Sequence, residues 1–589
     1  MSDLVERAKR WVQDDPDPTT RAEIEALLGA ADLGKTDLAD RFLGALEFGT
    51  AGLRGVIGAG PNRMNRAVVR RTTFGLAQYL LVTHGEQAKS RGVVIGFDGR
   101  TLSREFADET SRVLAAQGIP SHVFEDFAPT PLTAFAVHRL GAAAGVMITA
   151  SHNPPEYNGY KVYDANAAQI IPPVDAHIAH QIDKAPAAKD VPMLTTEEAK
   201  SSRLVLAVPE SVTRAYLDAV AGLARSRGGA RDLSIVYTAM HGVGNVLAME
   251  ALKEAGFTKV VSVAEQAHPD AKFPTVAFPN PEEKGAMDLA FAYAEKHAAD
   301  LVLANDPDAD RLAVAVPARR GDKSGKKYVQ LTGNQVGVLL GHYILTHARP
   351  NEAKRLVAAS IVSSPELGGI AEALGVRFES TLTGFKWIAN RAMQLEHDEN
   401  LSFVFGYEEA LGYTVGDVVR DKDGISAAVI AAEMTAVLRE QGKTILDELE
   451  AISRRFGLWV SEQVSMTKKG ASGAEEIRAM MGKLRSAPPS KVGPFDVTAF
   501  VDVAAGTRVA KGGKPEPITL PKSDVLVFEL AGGSRVIARP SGTEPKIKFY
   551  FDVRGDVNEG EAFADAETRA KASLAAARDA FVALADTKK

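Results

Sequence analysis

One pattern constrains this chain more than any other. A short apolar run stops abruptly in a polar loop containing glycine or proline, and a helix-like segment follows. Gly92 to Phe97 runs into DGR, Gly145 to Ala150 into SHNPPEYNG, and Leu233 to Thr238 into MHGVGN. Leu301 to Ala304 runs into NDPDADR, Leu356 to Val362 into SSPE, and Leu401 to Phe405 into GYEEALGY. Apolar runs of this length, without alternation, predict strands buried on both faces of parallel sheets that feed crossover helices. Ligands in open α/β sheets bind beyond the carboxyl ends of strands, so chemistry is expected in these loops.

At 589 residues the chain has room for about four domains. Linker-like stretches near 186–202 and 318–327, and a helix-to-strand change near 453–462, divide it into units 1–205, 206–325, 326–455 and 456–589. The first three repeat strand, loop and helix, which predicts three similar mixed α/β domains. The last predicts an α+β domain, with a helix around Ala474 to Leu484, strands at Val525 to Leu530 and Val536 to Ala538, and a helix from Glu561 to Ala585. Lys plus Arg is 69 against 75 for Asp plus Glu, a net charge of −6, so no global basic field exists to hold nucleic acid. The chain has no cysteine, which excludes disulfides, thiolate catalysis and iron–sulfur clusters and leaves hard ligands for any metal. The N-terminus is charged throughout and reads as a short helix. The longest apolar runs, such as Leu140 to Ala150, fall short of the roughly 18 to 20 residues that span a bilayer. A cytoplasmic protein without a membrane partner is expected.

TASHNPPEYNGYKVY, Thr149 to Tyr163, sets Ser151 just past a strand end, where a serine can act as a nucleophile with His152 and Lys161 as local proton-transfer candidates. A bare Ser-His pair is otherwise a turn whose serine caps a backbone group. NDPDADR, Asn305 to Arg311, alternates Asp306, Asp308 and Asp310, which can turn three carboxylates toward one point. Such a cluster needs a cation, and all-oxygen ligands suit Mg²⁺. Arg311 adds a phosphate-binding fork. An EF-hand loop is excluded, because Arg311 stands where Gly is required and Pro317 where Glu is required. In FGTAGLRG, Phe48 to Gly55, backbone amides and Arg54 can approach an anion. In RPSGTEPK, Arg539 to Lys546, the residues Arg539, Ser541 and Thr543 and the amides around Gly542 offer a phosphate cradle, or else an ordinary polar hairpin turn. GYEEALGY offers Glu408 and Glu409 to sugar hydroxyls, or else as ordinary helix-start acids.

GAADLGKT, Gly29 to Thr36, matches the Walker A pattern, but RAEIEALL before it has helical spacing where a P-loop needs a buried strand. GVGNVL, Gly242 to Leu247, lacks the third small residue of the dinucleotide fingerprint.

In this order and spread over nearly the whole chain, FGTAGLRG, TASHNPPEYNGYK, NDPDADR, GYEEALGY and RPSGTEPK resemble the α-D-phosphohexomutase superfamily. LTGFKWI at Leu382 to Ile388 and VRDKDG at Val419 to Gly424 resemble its phosphoglucomutase 2 branch, which holds phosphoglucomutases, phosphopentomutases and sugar bisphosphate synthases. The resemblance implies a four-domain, heart-shaped enzyme with a central cleft that converts sugar 1-phosphates, glucose first and mannose next, to sugar 6-phosphates. It implies a phosphoserine at Ser151 and Mg²⁺ held by Asp306, Asp308, Asp310 and a phosphoryl oxygen on Ser151, with a sugar 1,6-bisphosphate as activator. His152 and Lys161 would lie in the proton-transfer region and Arg54 and Arg311 at the transferring phosphate. Lys386 would lie in the third-domain ligand loop and Glu408 and Glu409 at the sugar, with Arg539, Ser541, Gly542, Thr543 and Lys548 at the other phosphate. A non-catalytic sugar-phosphate sensor of this fold would have lost Ser151 or an aspartate, and none is lost. Many relatives carry Ser after the paired Glu, where this chain has Ala410.

Overall fold

The computed structural model describes residues 2–30, 32, 36–49, 52–226, 228–319, 325, 327–349, 352–468, 472–541 and 546–585. Its strands form four sheets that follow one another along the chain. The first contains β1 (Leu53–Val56), β2 (Val93–Phe97), β3 (Ser121–Val123), β4 (Ala144–Ile148), β5 (Tyr157–Asp164) and β6 (Val205–Ala207), in the order β1-β5-β4-β2-β3-β6. The second contains β7 (Ile235–Thr238), β8 (Val260–Ser262), β9 (Leu301–Ala304), β10 (Ala313–Pro317) and β11 (Tyr328–Gln330), in the order β11-β10-β9-β7-β8. The third contains β12 (Arg355–Ser360), β13 (Arg377–Thr381), β14 (Ser402–Glu408) and β15 (Gly412–Val415), in the order β13-β12-β14-β15.

These three sheets share one device. The first strand of the device lies between the second and third, parallel to both, and the third turns back into an antiparallel fourth. The second sheet repeats it with β7, β8, β9 and β10. The internal repeat expected from the sequence is therefore topological, with no fixed period. β6 and β11 carry the first and second sheets a few residues beyond the expected cuts at 205 and 325. The fourth sheet is antiparallel. It is built from β16 (Leu458–Thr467), β17 (Lys491–Val492), β18 (Phe495–Asp502), β19 (Thr507–Ala510), β20 (Pro515–Pro517), β21 (Leu526–Leu530), β22 (Arg535–Pro540) and β23 (Lys546–Gly555). Helices Ser472–Ser486 and Phe563–Ala585 pack on it, which gives the expected α+β unit.

The helix Gly424–Glu440 is buried around its whole circumference as far as Leu438, because GISAAVIAAEMTAVL carries one charge, Glu433. That carboxylate accepts hydrogen bonds from the amides of Arg225 and Ser226 and from the Tyr343 hydroxyl, as a buried charge must. The Asp423 side chain caps the helix by accepting from the amides of Ile425 and Ser426, and so fixes the VRDKDG loop just before it.

The linker expected near 186–202 is instead packed structure. It includes a helix, Thr196–Ser202, started by a capping box between Thr195 and Glu198, and it buries Ala188, Val191 and Ala199. Part of the stretch near 318–327 lies outside the described residues. No helix among the described residues is long and apolar enough to cross a membrane.

Candidate active site

The connection from the third to the fourth strand carries the candidate chemistry in each of the three repeated units. It holds Ser151 between β4 and β5, the aspartates between β9 and β10, and Glu409 between β14 and β15. Each connection places a non-glycine residue in the left-handed region: Ser151 at φ 51°, Ala309 at φ 56° and Leu411 at φ 61°. Such strain costs about 1–3 kcal/mol and persists only where surrounding contacts hold it.

In each unit the loop after the first strand supplies that hold. The Ser151 amide donates to Thr149 Oγ1 at 2.8 Å, and this hydroxyl donates to Asp98 Oδ2 at 2.7 Å. The Arg100 guanidinium, fully buried, donates to the carbonyls of Ser151 and Asn153 at 2.6 Å each and of Pro154 at 2.8 Å. In the second unit the Val243 amide donates to the Pro307 carbonyl, and Gly242 packs so closely on Pro307 that an added Cβ would lie 2.4 Å from its Cα. Gly242, which opens the string GVGNVL, makes this contact. In the third unit the Glu409 amide donates to Ser363 Oγ at 3.0 Å.

The first two loops meet. Ser151 Oγ donates to Asp306 Oδ2 at 2.8 Å and lies 3.3 Å from His152 Nδ1. Burial, together with Arg311 and Arg54, holds His152 well below the ordinary imidazole pKa, so its ring is neutral. Asp306, Asp308 and Asp310 are buried and their ligand atoms lie within 4.8 Å of one another, the one such group of three among the described residues. Burial and the two neighbouring aspartates push Asp306 well above the carboxylate range. Burial opposes ionisation of Asp308 and Asp310 most strongly, but Lys161, 2.8 and 2.9 Å from them, together with Thr130 at Asp308 and with Lys422 and Arg311 at Asp310, holds both below that range. Asp308 Oδ1 and Asp310 Oδ1 are buried without a hydrogen-bond partner among the described residues. Orphaned oxygens in a three-carboxylate cluster are what a hard divalent cation would satisfy, so the residues present fit one.

Around this centre, Arg54 on β1 donates to Asn153 Oδ1 at 2.6 Å, and burial brings its pKa down to about 10. Arg311 donates to the Ala410 carbonyl at 2.8 Å, tying the aspartate loop to the loop between β14 and β15. Glu408 is buried and accepts the Gly384 amide at 2.6 Å, while Lys386 reaches the Gly49 carbonyl at 3.4 Å. Burial, then Glu409, raises the Glu408 pKa. Arg539 and Lys548 are partners across β22 and β23, and Lys548 feels the charges of Glu409 and Arg311, which puts the fourth unit at the same cleft. The Ser541 amide donates to the Lys546 carbonyl at 2.7 Å. Gly542 and Thr543 lie outside the described residues. So does Lys35 of the Walker-like string, which follows a helix, Pro18–Leu28, and no strand.

Four family descriptions match in succession. Residues 45–189, 214–321 and 332–456 match phosphoglucomutase/phosphomannomutase alpha/beta/alpha domains I, II and III, and residues 494–570 match the C-terminal domain. The chain belongs to the phosphoglucomutase/phosphomannomutase family. It is 43% identical to a probable phosphomannomutase of Haemophilus influenzae over 84% of this chain and 93% of that one. It is 36% identical to a phosphopentomutase of Homo sapiens over 93% and 91%, and 37% identical to a phosphoglucomutase of Staphylococcus epidermidis over 87% and 91%. The same fold occurs in a putative phosphomannomutase from Thermus thermophilus, with a TM-score of 0.63 at 21% identity over 91% of this chain and 99% of that one.

Two residues that the sequence did not single out also touch the aspartate cluster. Lys422 lies 3.2 Å from Asp310 Oδ2 and 3.1 Å from Asp421 Oδ1, and Asp421 in turn accepts from Tyr163 and Gln169 of the first unit. Thr130 donates to Asp308 Oδ2 at 2.7 Å. The signal for Lys422 was the VRDKDG run itself, a charged loop between a buried strand and a helix that is buried nearly throughout. Thr130, in the ordinary string APTPLT, gave none.

Proposed function

We propose that this phosphomutase interconverts sugar 1-phosphates and sugar 6-phosphates, glucose first, through a phosphoserine at Ser151 and a bisphosphorylated sugar. The observation that carries this reading is the 2.8 Å contact of Ser151 Oγ with Asp306, inside a buried carboxylate cluster flanked by Arg54, Arg311 and Lys161. In the first half-reaction the bond from phosphorus to Ser151 Oγ breaks and a bond from phosphorus to a sugar hydroxyl oxygen forms, while the proton of that hydroxyl passes to a base in the loop and the freed Ser151 Oγ takes up a proton from that base, 3.3 Å away in His152. His152 is the neutral imidazole at hand. In the second half-reaction the bisphosphorylated sugar, turned over in the cleft, returns its other phosphoryl group: the bond from phosphorus to the sugar oxygen breaks, the bond to Ser151 Oγ forms, and the serine proton passes through the same base to the freed sugar oxygen. Arg54 and Arg311 bind the phosphoryl oxygens during transfer, Glu408 and Glu409 accept from sugar hydroxyls, and Arg539, Ser541, Gly542, Thr543 and Lys548 hold the phosphate that stays in place. Asp306, Asp308, Asp310 and a phosphoryl oxygen on Ser151 would hold Mg²⁺, which supplies charge neutralisation during in-line transfer.

A second reading, a phosphopentomutase, is favoured by the full-length similarity to proteins of that name and by Ala410, which offers no hydroxyl to a hexose. Coupled assays on glucose, mannose and ribose 1-phosphates, with and without glucose 1,6-bisphosphate, decide between them. The proposal expects the highest kcat/KM on glucose 1-phosphate and stimulation by the bisphosphate. A clear preference for ribose 1-phosphate would replace it with the second reading.

A further inference from the structure

A carboxylate that grips sugar hydroxyls must be held in place, and two buried serines hold Glu409. Its Oε2 lies 3.3 Å from Ser360 Oγ and 3.4 Å from Ser363 Oγ, the two hydroxyls are 2.8 Å apart, and Ser363 Oγ also accepts the Glu409 amide. The other side of Ser363 belongs to a different unit. Its carbonyl accepts a hydrogen bond from Arg535 on β22, whose Nε donates to Asp552 Oδ2 at 2.8 Å, and Asp552 Oδ1 in turn accepts from Ser461 at 2.6 Å. Ile361 and Val362, just before Ser363, pack in one apolar cluster with Val501, Val527, Ile537 and Tyr550 of the fourth sheet.

Arg535 and Arg539 are four residues apart on one strand and so share a face of the sheet, and the register pairs Arg535 with Asp552 and Arg539 with Lys548. One two-stranded ribbon therefore carries the phosphate cations toward one end and the Ser363 clasp toward the other. We propose that Ser363 is a positioning residue that couples phosphate capture by the fourth unit to the placement of Glu409 at the sugar. The proposal rests on the mutase reading above, in which Glu409 meets the sugar and Arg539 the retained phosphate. A ribbon moved by a bound phosphate carries Arg535 with it, Arg535 carries the Ser363 carbonyl, and the hydroxyl of the same residue resets Glu409. Phosphate and sugar are then recognised together.

The test is a kinetic double-mutant cycle on the full-length enzyme with Ser363→Ala, Arg535→Lys and the double variant. Wild-type turnover of glucose, mannose or ribose 1-phosphate is measured first, and its absence on all three would overturn the mutase reading itself. With turnover established, each single variant is expected to raise KM roughly tenfold while kcat stays within about threefold. The double variant should raise KM no more than about threefold beyond the larger single effect. Effects that multiply in the double variant, or an unchanged KM in Ser363→Ala with an unaltered melting temperature, would overturn the coupling. If Ser363→Ala does not fold, Ser363→Cys, which keeps the volume and weakens the hydrogen bond, takes its place with the same expectations.

Discussion

The Ser151 loop of the first unit and the Glu409 loop of the third are the same connection in the same four-strand device, each with one residue in the left-handed region, yet they are held differently. Ser151 is fastened through its amide and its carbonyl to Asp98, Thr149 and Arg100 of its own unit, with the Phe273 ring of the second unit packed 5.1 Å from the Arg100 guanidinium. Glu409 is fastened through Ser363, whose carbonyl is taken by Arg535 of the fourth unit. In the mechanism proposed above, the difference separates two tasks. A phosphoryl donor works best when its geometry is fixed before substrate arrives, whereas a group that grips the sugar gains from answering to the phosphate bound elsewhere.

The largest expected effect tests the centre that both loops serve. Asp308→Asn removes a carboxylate from the cluster and should lower kcat on the order of a hundredfold or more without loss of fold, as circular dichroism and kinetics would show. Activity that survives both this change and thorough chelation would remove the metal from the account. Next is the fixed loop. Thr149→Val deletes the hydroxyl that joins the Ser151 amide to Asp98, so kcat should fall about tenfold to a hundredfold while KM changes little, and Thr149→Ser should restore most of it. A rise in KM with kcat intact would erase the contrast with Glu409. Arg539→Ala probes the other side and should raise KM roughly tenfold to a hundredfold with a smaller effect on kcat. An unchanged KM for every sugar phosphate would take the fourth unit out of the site.

The smallest effect concerns stability where the third and fourth units meet. Burial first, and then the charge of Asp552, pushes the Glu366 carboxyl from an ordinary 4.5 up to about 8. Between these values the unfolded chain has released the proton and the folded chain retains it, so this group makes the protein less stable as pH rises through that window. Glu366→Gln should therefore gain melting temperature relative to wild type as pH goes from 5 to 8, and the gain should level off above 8. A difference that does not vary with pH would place the carboxyl in an ordinary exposed setting.

Much of this was legible in the sequence. Buried parallel strands declare themselves as short unalternating apolar runs, so β2, β4, β7, β9, β12 and β14 could be placed before any coordinates, although β4 and β12 stop two residues short of the expected ends and β14 runs past Phe405 to Glu408, which puts Glu408 on the strand. Ser151 and the three aspartates were legible because nucleophile and ligand types cluster within a few residues. The braces were not. Arg100 precedes Ser151 by 51 residues, and Ser363 precedes Glu409 by 46 and Arg535 by 172, so their roles exist only once the sheets have formed. The capped helix at Thr196–Ser202 was missed for a different reason: its Thr and Glu are polar residues in a proline- and alanine-containing stretch that reads as a connector until the capping geometry closes.

The central claim is that phosphoryl groups pass through Ser151. Wild-type protein incubated with glucose 1,6-bisphosphate and examined by intact-mass and peptide mass spectrometry should carry one phosphoryl group, located on Ser151 and lost on subsequent incubation with glucose 1-phosphate, and Ser151→Ala should carry none. A phosphoryl group on another residue, or an unmodified Ser151 in an enzyme that turns over at its normal rate with Ser151→Ala as active as wild type, would contradict the account.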